Sequence, residues 1–274
     1  MSASTPEPDA GTPPVARVRA MWPWHLLLLA IVLGAWHALT STEVLPPFFF
    51  GEPLQVGRRI LDWLVTGKIF PHLGVTMLET LLAFVIGTGL GLGAGLWLGL
   101  SPLAARLLDP YITAVNSMPR VILAPIFAVW FGLGIWSKVL LGVTLVFFIV
   151  FFSVYHGVRE VSPVVLANAR MLGASRRQLL RHVYLPSATA WVFASLHASV
   201  GMAFVGAVVG EYLGSARGVG YLILQAEGVF DVNTVFAGVI VLTLAALVLD
   251  RLVSVVERRL LTWRPVAAEA ASQS

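Results

Sequence analysis

Six apolar runs, each near the length that a lipid bilayer asks of a helix, constrain this chain more than anything else in it. They lie at roughly 25–40, 73–100, 112–135, 138–156, 188–212 and 234–256. About 20 apolar residues in helical form cross the hydrocarbon core, and a helix satisfies its own backbone groups where no water can. Composition agrees, with 58% of the 274 residues hydrophobic and 12% charged, where a soluble domain carries about a quarter charged residues. The expected fold is therefore an all-α membrane protein of about six transmembrane helices. There are no cysteines, which excludes disulfides, Cys-based metal sites and thiol nucleophiles.

The first run also suits a cleaved signal peptide, since Arg17 and Arg19 precede it, but no A-x-A site follows. It is taken as a span. Residues 1–20 and 265–274 lack apolar periodicity and are expected to be disordered tails flanking a membrane domain over 21–264. Gly132, Gly134 and Lys138 mark a tight turn between the third and fourth spans. With both termini in the cytoplasm, the inside cations are Arg17, Arg19, Arg106, Arg120, Arg159, Arg170, Arg176, Arg177, Arg181, Arg251, Arg258, Arg259 and Arg264. Those outside are Arg58, Arg59, Lys68, Lys138 and Arg217. Thirteen against five accounts for all eighteen and obeys the positive-inside rule. The net charge of +4 is thus a matter of membrane sidedness, and nucleic acid is not an expected partner. Residues 53–72 are too polar to cross. Leu54, Val56, Ile60, Leu61, Leu64 and Val65 give them one apolar face, predicting a helix along the outer interface.

Within the spans, Gly87, Gly91, Gly95 and Gly99 recur every four residues and so share a helix face that lets another backbone come close. Packing inside the chain is expected, with a subunit interface as the alternative. Pro110, Pro119 and Pro125 predict a kinked or broken third span, because proline lacks a donor and clashes with the preceding turn. Asn116 and Ser117 stand just before Pro119. Broken helix is tolerated at depth where it faces protein or a water-filled cavity, so Asn116, Ser117 and Pro119 are candidate pathway residues. Glu211 and Tyr212, at the end of the fifth span, join that set, with a solvated helix end as the alternative for Glu211. Glu79 stands close to the outer end of the second span and could be interfacial. The histidines show no metal spacing; His37 and His197 are expected to make inter-helix hydrogen bonds.

One loop, 159–186, is basic and amphipathic. Ser162 and Pro163 suit the start of a helix that Gly173 would end. Ser175 and Gln178 form a capping box for a second helix, whose apolar side is Leu179, Leu180, Val183 and Tyr184. Pro186 is expected to stop it and launch the fifth span. A DNA-binding helix-turn-helix has the same outline, but both ends here are tethered to membrane spans. A holder of anionic lipid headgroups and a docking element for a cytoplasmic partner remain. Small residues at Ala167, Ala169, Gly173 and Ala174 favour a close-fitting partner groove.

The loop resembles the EAA motif of the inner-membrane permease subunits of bacterial ABC importers, which reads E-A-A, three residues, Gly, nine residues, Ile, one residue, Leu-Pro. Ala167-Asn168-Ala169 occupies the first positions, Gly173 the glycine, Val183 the isoleucine and Leu185-Pro186 the end. Arg170, Leu172, Ala174 and Ser175 fall within the same frame. The family glutamate is replaced by Ala167, and Asn168 stands where alanine is usual, so a contact made by that carboxylate is absent. Further stretches are similar to the nitrate/sulfonate/taurine branch: Pro119, Trp130-Phe131-Gly132-Leu133-Gly134, Gly218-Val219-Gly220-Tyr221-Leu222-Ile223 and Glu257-Arg258-Arg259-Leu260. The resemblance covers about 46–264.

It implies a type I importer fold in a bacterial inner membrane and a pore-forming subunit that does no chemistry itself. It also implies a second permease copy, a cytoplasmic ATPase dimer that binds ATP and Mg, and an external solute-binding protein. Substrates in this branch are small anions such as nitrate, sulfonates or taurine. The chain has no G-x-x-x-x-G-K-[ST] motif with which to cradle ATP phosphates itself. A secondary transporter or channel would instead call for intramembrane coupling charges and an internal repeat, neither of which is strong here. A membrane-embedded enzyme would need a nucleophile-base pair or metal ligands in the spans.

Overall fold

The computed structural model describes residues 22–260, all of whose regular elements are helical. The expected tails lie outside the described residues. The chain divides into two compact units, Met1–Pro53 and Leu54–Ser274. In the first, α1 (Trp22–Ser41) is apolar enough to cross a membrane, and most of its side chains are exposed, as befits a surface in lipid. A short α2 (Pro47–Phe50) is tied back to it, Trp36 Nε1 donating to Phe50 O at 3.2 Å.

The second unit begins with α3 (Pro53–Val65), the expected amphipathic helix. It buries Val56 and Trp63 and leaves Leu54, Leu61, Leu64 and Val65 exposed. The remaining elements are α4 (Ile69–Leu100), α5 (Pro102–Asn116), a 3-10 turn (Arg120–Ile122), α6 (Leu123–Phe131) and α7 (Ile135–Arg159), then α8 (Pro163–Met171) and α9 (Arg176–Leu179). A π-helical turn (Leu180–Tyr184) leads into α10 (Leu185–Leu213), followed by α11 (Val219–Gly228) and α12 (Val232–Leu260). Among the described residues five helices pass as single spans. A sixth span is the pair Pro102–Asn116 and Arg120–Phe131, bent by 74°.

The core is a seam between α4 and α7. A Cβ on Gly87, Gly91, Gly95 or Gly99 would lie 2.7–2.9 Å from the Cβ of Val146, Val150, Val154 or Val158 respectively. Glycines every four residues on one helix thus face valines every four residues on the other, and the backbones approach to where no side chain fits between. This is packing within the chain. Gly89 and Gly93, off the seam, have open space at the Cβ position. On the far side α10 crosses α7 where a Cβ on Gly206 would come within 2.4 Å of Gly142 Cα. Ala83 and Ala203, both fully buried, close the three-helix junction. Rings of Phe147, Phe151 and Tyr155 stack along α7, with centroids 5.7 and 5.9 Å apart.

The third span departs from the expected helix over 112–135. It starts earlier, at Pro102, runs through Pro110, and breaks at Ser117–Pro119 before resuming at Arg120. Proline is the cause: Pro119 cannot donate, and it disfavours helical backbone at Met118. Gly132 ends α6 in the left-handed region at φ +72°, as the turn requires. Lys138 is a correction, because it lies in the first turn of α7 and is fully buried rather than part of the turn.

Arg120 is a second correction. Its guanidinium carbon sits 4.4 Å from the centroid of Phe148, midway along α7 (Ile135–Arg159). At about 1.5 Å per residue, Phe148 is roughly 20 Å from the start of α7 and roughly 17 Å from its end. Arg120, counted above with the cytoplasmic-side cations, therefore stands beside the middle of α7 and not at its cytoplasmic end.

Candidate functional site

The 159–186 segment forms the helix-turn-helix that its residues demand. Ser162 precedes α8 with Pro163 at the first helical position. At the other end the Gly173 N–H donates to Arg170 O at 2.9 Å and the Ala174 N–H to Ala169 O at 3.0 Å, with Gly173 at φ +79°. This is the Schellman termination, which needs a left-handed residue at that one position. Ser175 Oγ accepts from the Gln178 N–H, and Gln178 Oε1 accepts from the Ser175 N–H at 2.8 Å, completing the capping box.

Pro186 does not stop this second helix. The chain stays helical through Leu180–Tyr184 by widening to i→i+5 bonding, with the Leu185 N–H donating to Leu180 O. A wider turn accommodates a proline that cannot donate and that crowds the carbonyl four residues back.

Met171 and Leu172, at the tip of the turn, are 79% and 88% exposed, and Val164 and Val165 are exposed beside them. Ala167 and Asn168 are also exposed. Between the helices lies a cavity of about 270 Å³ lined by Ala169, Leu172, Gly173, Ala174, Leu179 and Val183 with Gln178 and His182. Five of those eight are motif positions. Tyr184 packs against the α4–α7 core, so the segment is tethered to the seam by a side chain as well as by its ends. Leu185 is exposed at the start of α10.

A second constellation gathers at the opposite end of the bundle. Glu211 is fully buried. Its Oε1 accepts from Thr76 Oγ1 at 2.6 Å and its Oε2 from the Gly220 N–H at 2.7 Å. Thr76 Oγ1 accepts in turn from the Val219 N–H at 3.1 Å. His72 Nδ1 lies 3.1 Å from Gly218 O and 3.2 Å from Gly218 N. Gly218 takes φ +111°, and a Cβ there would fall 2.1 Å from the Glu211 carboxyl carbon. Glu79 and Lys138 are buried beside it and interact electrostatically with Glu211. The Lys138 Nζ donates to Leu133 O at 2.6 Å and Gly134 O at 2.9 Å. Partners on both Glu211 oxygens and two carbonyls on the Lys138 ammonium are what lets such groups persist away from water, while Glu79 Oε2 is buried without a hydrogen-bond partner.

Glu211 thus binds the 218–220 turn to α4 and α10. It is not a solvated helix end: its carboxylate is enclosed by these partners. Tyr212 bonds Glu227 through its hydroxyl and lines an apolar cavity of about 420 Å³ between α10, α11 and α12.

At that break Asn116 and Ser117 are exposed, and Arg120 Nη2 donates to Asn116 O at 3.2 Å and also to Asn116 Oδ1. Ser117 Oγ donates to Thr113 O at 2.9 Å. Sequence reasoning missed Arg120, although a cation next to a proline break was the available signal. It also missed the Thr76–Glu211–Gly220 network, for which an acid near each of two span ends was the only trace. His197 Nδ1 pairs with Asp250 at 3.6 Å across α10 and α12, as an inter-helix contact.

The family model of the binding-protein-dependent transport system inner membrane component matches residues 87–262. The chain is 32% identical over 248 residues to a putative aliphatic sulfonates transport permease of Bacillus subtilis, covering 90% of each chain. It is 29% identical to the taurine transport system permease of Escherichia coli, covering 89% of this chain and 94% of that one. A riboflavin transport permease of Chloroflexus aurantiacus is 31% identical over 86% of the chain and 88% of its own length. A solved chain of the MetNI methionine ABC transporter, in an inward-facing conformation, covers 72% of this chain at a TM-score of 0.57 and 19% identity, a likeness of fold. The chain belongs to the binding-protein-dependent transport system inner-membrane components, as a multi-pass ABC importer permease of the sulfonate and taurine branch.

Proposed function

We propose that this chain, paired with a second copy, forms the pore through which a small organic anion of the sulfonate or taurine kind enters, and that its 163–186 segment receives a cytoplasmic ATPase. ATP and Mg would bind that ATPase, while the permease itself would perform no chemistry. An external solute-binding protein would deliver the substrate, and lipid would cover the exposed outer faces.

The observation that carries the coupling reading is the exposed apolar tip at Met171 and Leu172 above a cavity walled by small motif residues. Apolar side chains held rigidly on a water-facing turn are a surface prepared for protein. The motif glutamate's role goes unfilled at Ala167, so contact by shape and apolar area carries the docking here. Tyr184 gives a displaced loop a lever on the α4–α7 seam, along which a motion could pass to the spans. The anion reading rests on similarity to the sulfonate and taurine permeases. The break at Asn116, Ser117 and Pro119 supplies exposed polar groups for a pathway.

The test is co-purification of a cognate ABC ATPase co-expressed with the chain, with and without Leu172→Asp, together with uptake of labelled taurine and ethanesulfonate. Loss of the ATPase from the variant at normal membrane levels is expected. Retention of the ATPase by Leu172→Asp would remove the loop from the docking role, and a wild-type chain that imports neither sulfonate would remove the substrate reading.

A further inference from the structure

The break in the third span holds a cation that the packing does not use up. Arg120 lies at mid-depth, with its guanidinium over the ring of Phe148 and one nitrogen bonded to Asn116. Its Nε is buried without a hydrogen-bond partner. No carboxylate among the described residues stands within ion-pair distance of it. Lys138 makes the contrast, because that buried ammonium is capped by two carbonyls and flanked by Glu79 and Glu211.

A permanently charged group at this depth persists where it faces protein partners or a water-filled route. Arg120 has one neutral partner, and its remaining donors are disposed in a planar fork that matches two oxygens of an oxyanion. Phe148, on which it lies, also walls an apolar cleft of about 260 Å³ together with Val115, Ile112 and Phe147. A cation and an apolar recess that share one ring fit a small amphiphilic anion with an oxyacid head and a short carbon tail.

We infer that Arg120 receives the anionic head of the substrate at the broken span, as the specificity-determining residue of the pathway. This rests on the anion-import reading above. Asn116 holds the guanidinium by its second nitrogen, and Phe148 fixes its plane. A lipid phosphate has the same head chemistry as a sulfonate, so the source must be separated by experiment.

The measurement is sulfonate carried per ATP hydrolysed, using taurine and ethanesulfonate, with the permease assembled with its ATPase and binding protein in proteoliposomes containing phosphatidylglycerol. For Arg120→Gln a fall of about tenfold or more is expected, at unchanged complex yield and basal ATP hydrolysis, since a charge-assisted pair is lost. For Arg120→Lys a fall of about threefold is expected, because charge remains but the two-point match does not.

Transport by Arg120→Gln within about twofold of wild type overturns the assignment. So does failure of both variants to assemble, which would make Arg120 a structural cation. If removing phosphatidylglycerol lowers the wild type to the Arg120→Gln level, the bound head is a lipid's and the assignment fails. A wild type that carries no sulfonate instead sinks the anion-import reading, and this inference with it.

Discussion

The helix-turn-helix over 163–186 is closed by bonds between residues five or fewer apart, such as the Ala174 N–H to Ala169 O. The Glu211 site, at the other end of the bundle, joins Thr76 to Glu211 across 135 residues and His72 to Gly218 across 146. The first is exposed and apolar at its tip, and the second is buried and charged at its centre. A partner surface has to be rigid before the partner arrives, so local caps suffice and the tip can stay bare. A buried carboxylate has to be enclosed from several sides at once, so it depends on the bundle having formed. Damage to the first should therefore cost function at little cost in stability, and damage to the second the reverse.

The strongest way to break this contrast is Gly218→Val. The new side chain would collide with the Glu211 carboxyl at a left-handed backbone position, and a loss of about 3 kcal/mol or more is expected. Size-exclusion and thermal unfolding in detergent should show a large fall in folded chain. Near-normal folding would mean that Glu211 does not clamp the 218–220 turn. Gly91→Ala comes next, since its Cβ would lie 2.8 Å from Phe147 O on the seam. A loss of about 2 kcal/mol is expected there from overpacking. Gly89→Ala, with open space at the same helix depth, should lose nothing and is the control.

On the loop side, Gly173→Val places a β-branched residue at φ +79°, at a local strain of about 1–2 kcal/mol. The bundle should unfold at the wild-type temperature while uptake falls about tenfold, a drop that corresponds to about 1.4 kcal/mol of coupling. A bundle destabilised as much as by Gly218→Val would erase the distinction between the two regions. Ser175→Ala should be smallest, with about 1 kcal/mol of helix capping lost. Its readout is faster hydrogen exchange in 176–184 with no change in 185–213; protection lost across both would show that the loop and the fifth span unfold together.

The contrast also explains which features could be read before the structure. Ser175 and Gln178, Pro163 and Gly173 each act on neighbours, so their types and spacing already specify caps and a turn. The same holds for Gly87, Gly91, Gly95 and Gly99, whose period fixes a shared face, and for Pro119, which breaks whichever helix contains it. Pro186 was misjudged because its effect depends on how a π turn can widen ahead of it. Lys138 was read as part of a turn and Arg120 as a cytoplasmic-side cation, since sequence alone shows neither the carbonyls that cap the one nor the ring beneath the other.

The sequence by itself determined the solvent, the spans, the caps of the basic loop and the glycine face of α4, because each follows from hydrophobic length or from residues a few positions apart. Tertiary structure decided that the valines of α7 fill that face. It also decided that Glu211 holds the 218–220 turn, and that Arg120 stands over Phe148, midway along α7, with no carboxylate of the described residues in ion-pair range. Those outcomes depend on which helices meet, and no local spacing encodes a meeting between residues that lie from 28 to 135 positions apart.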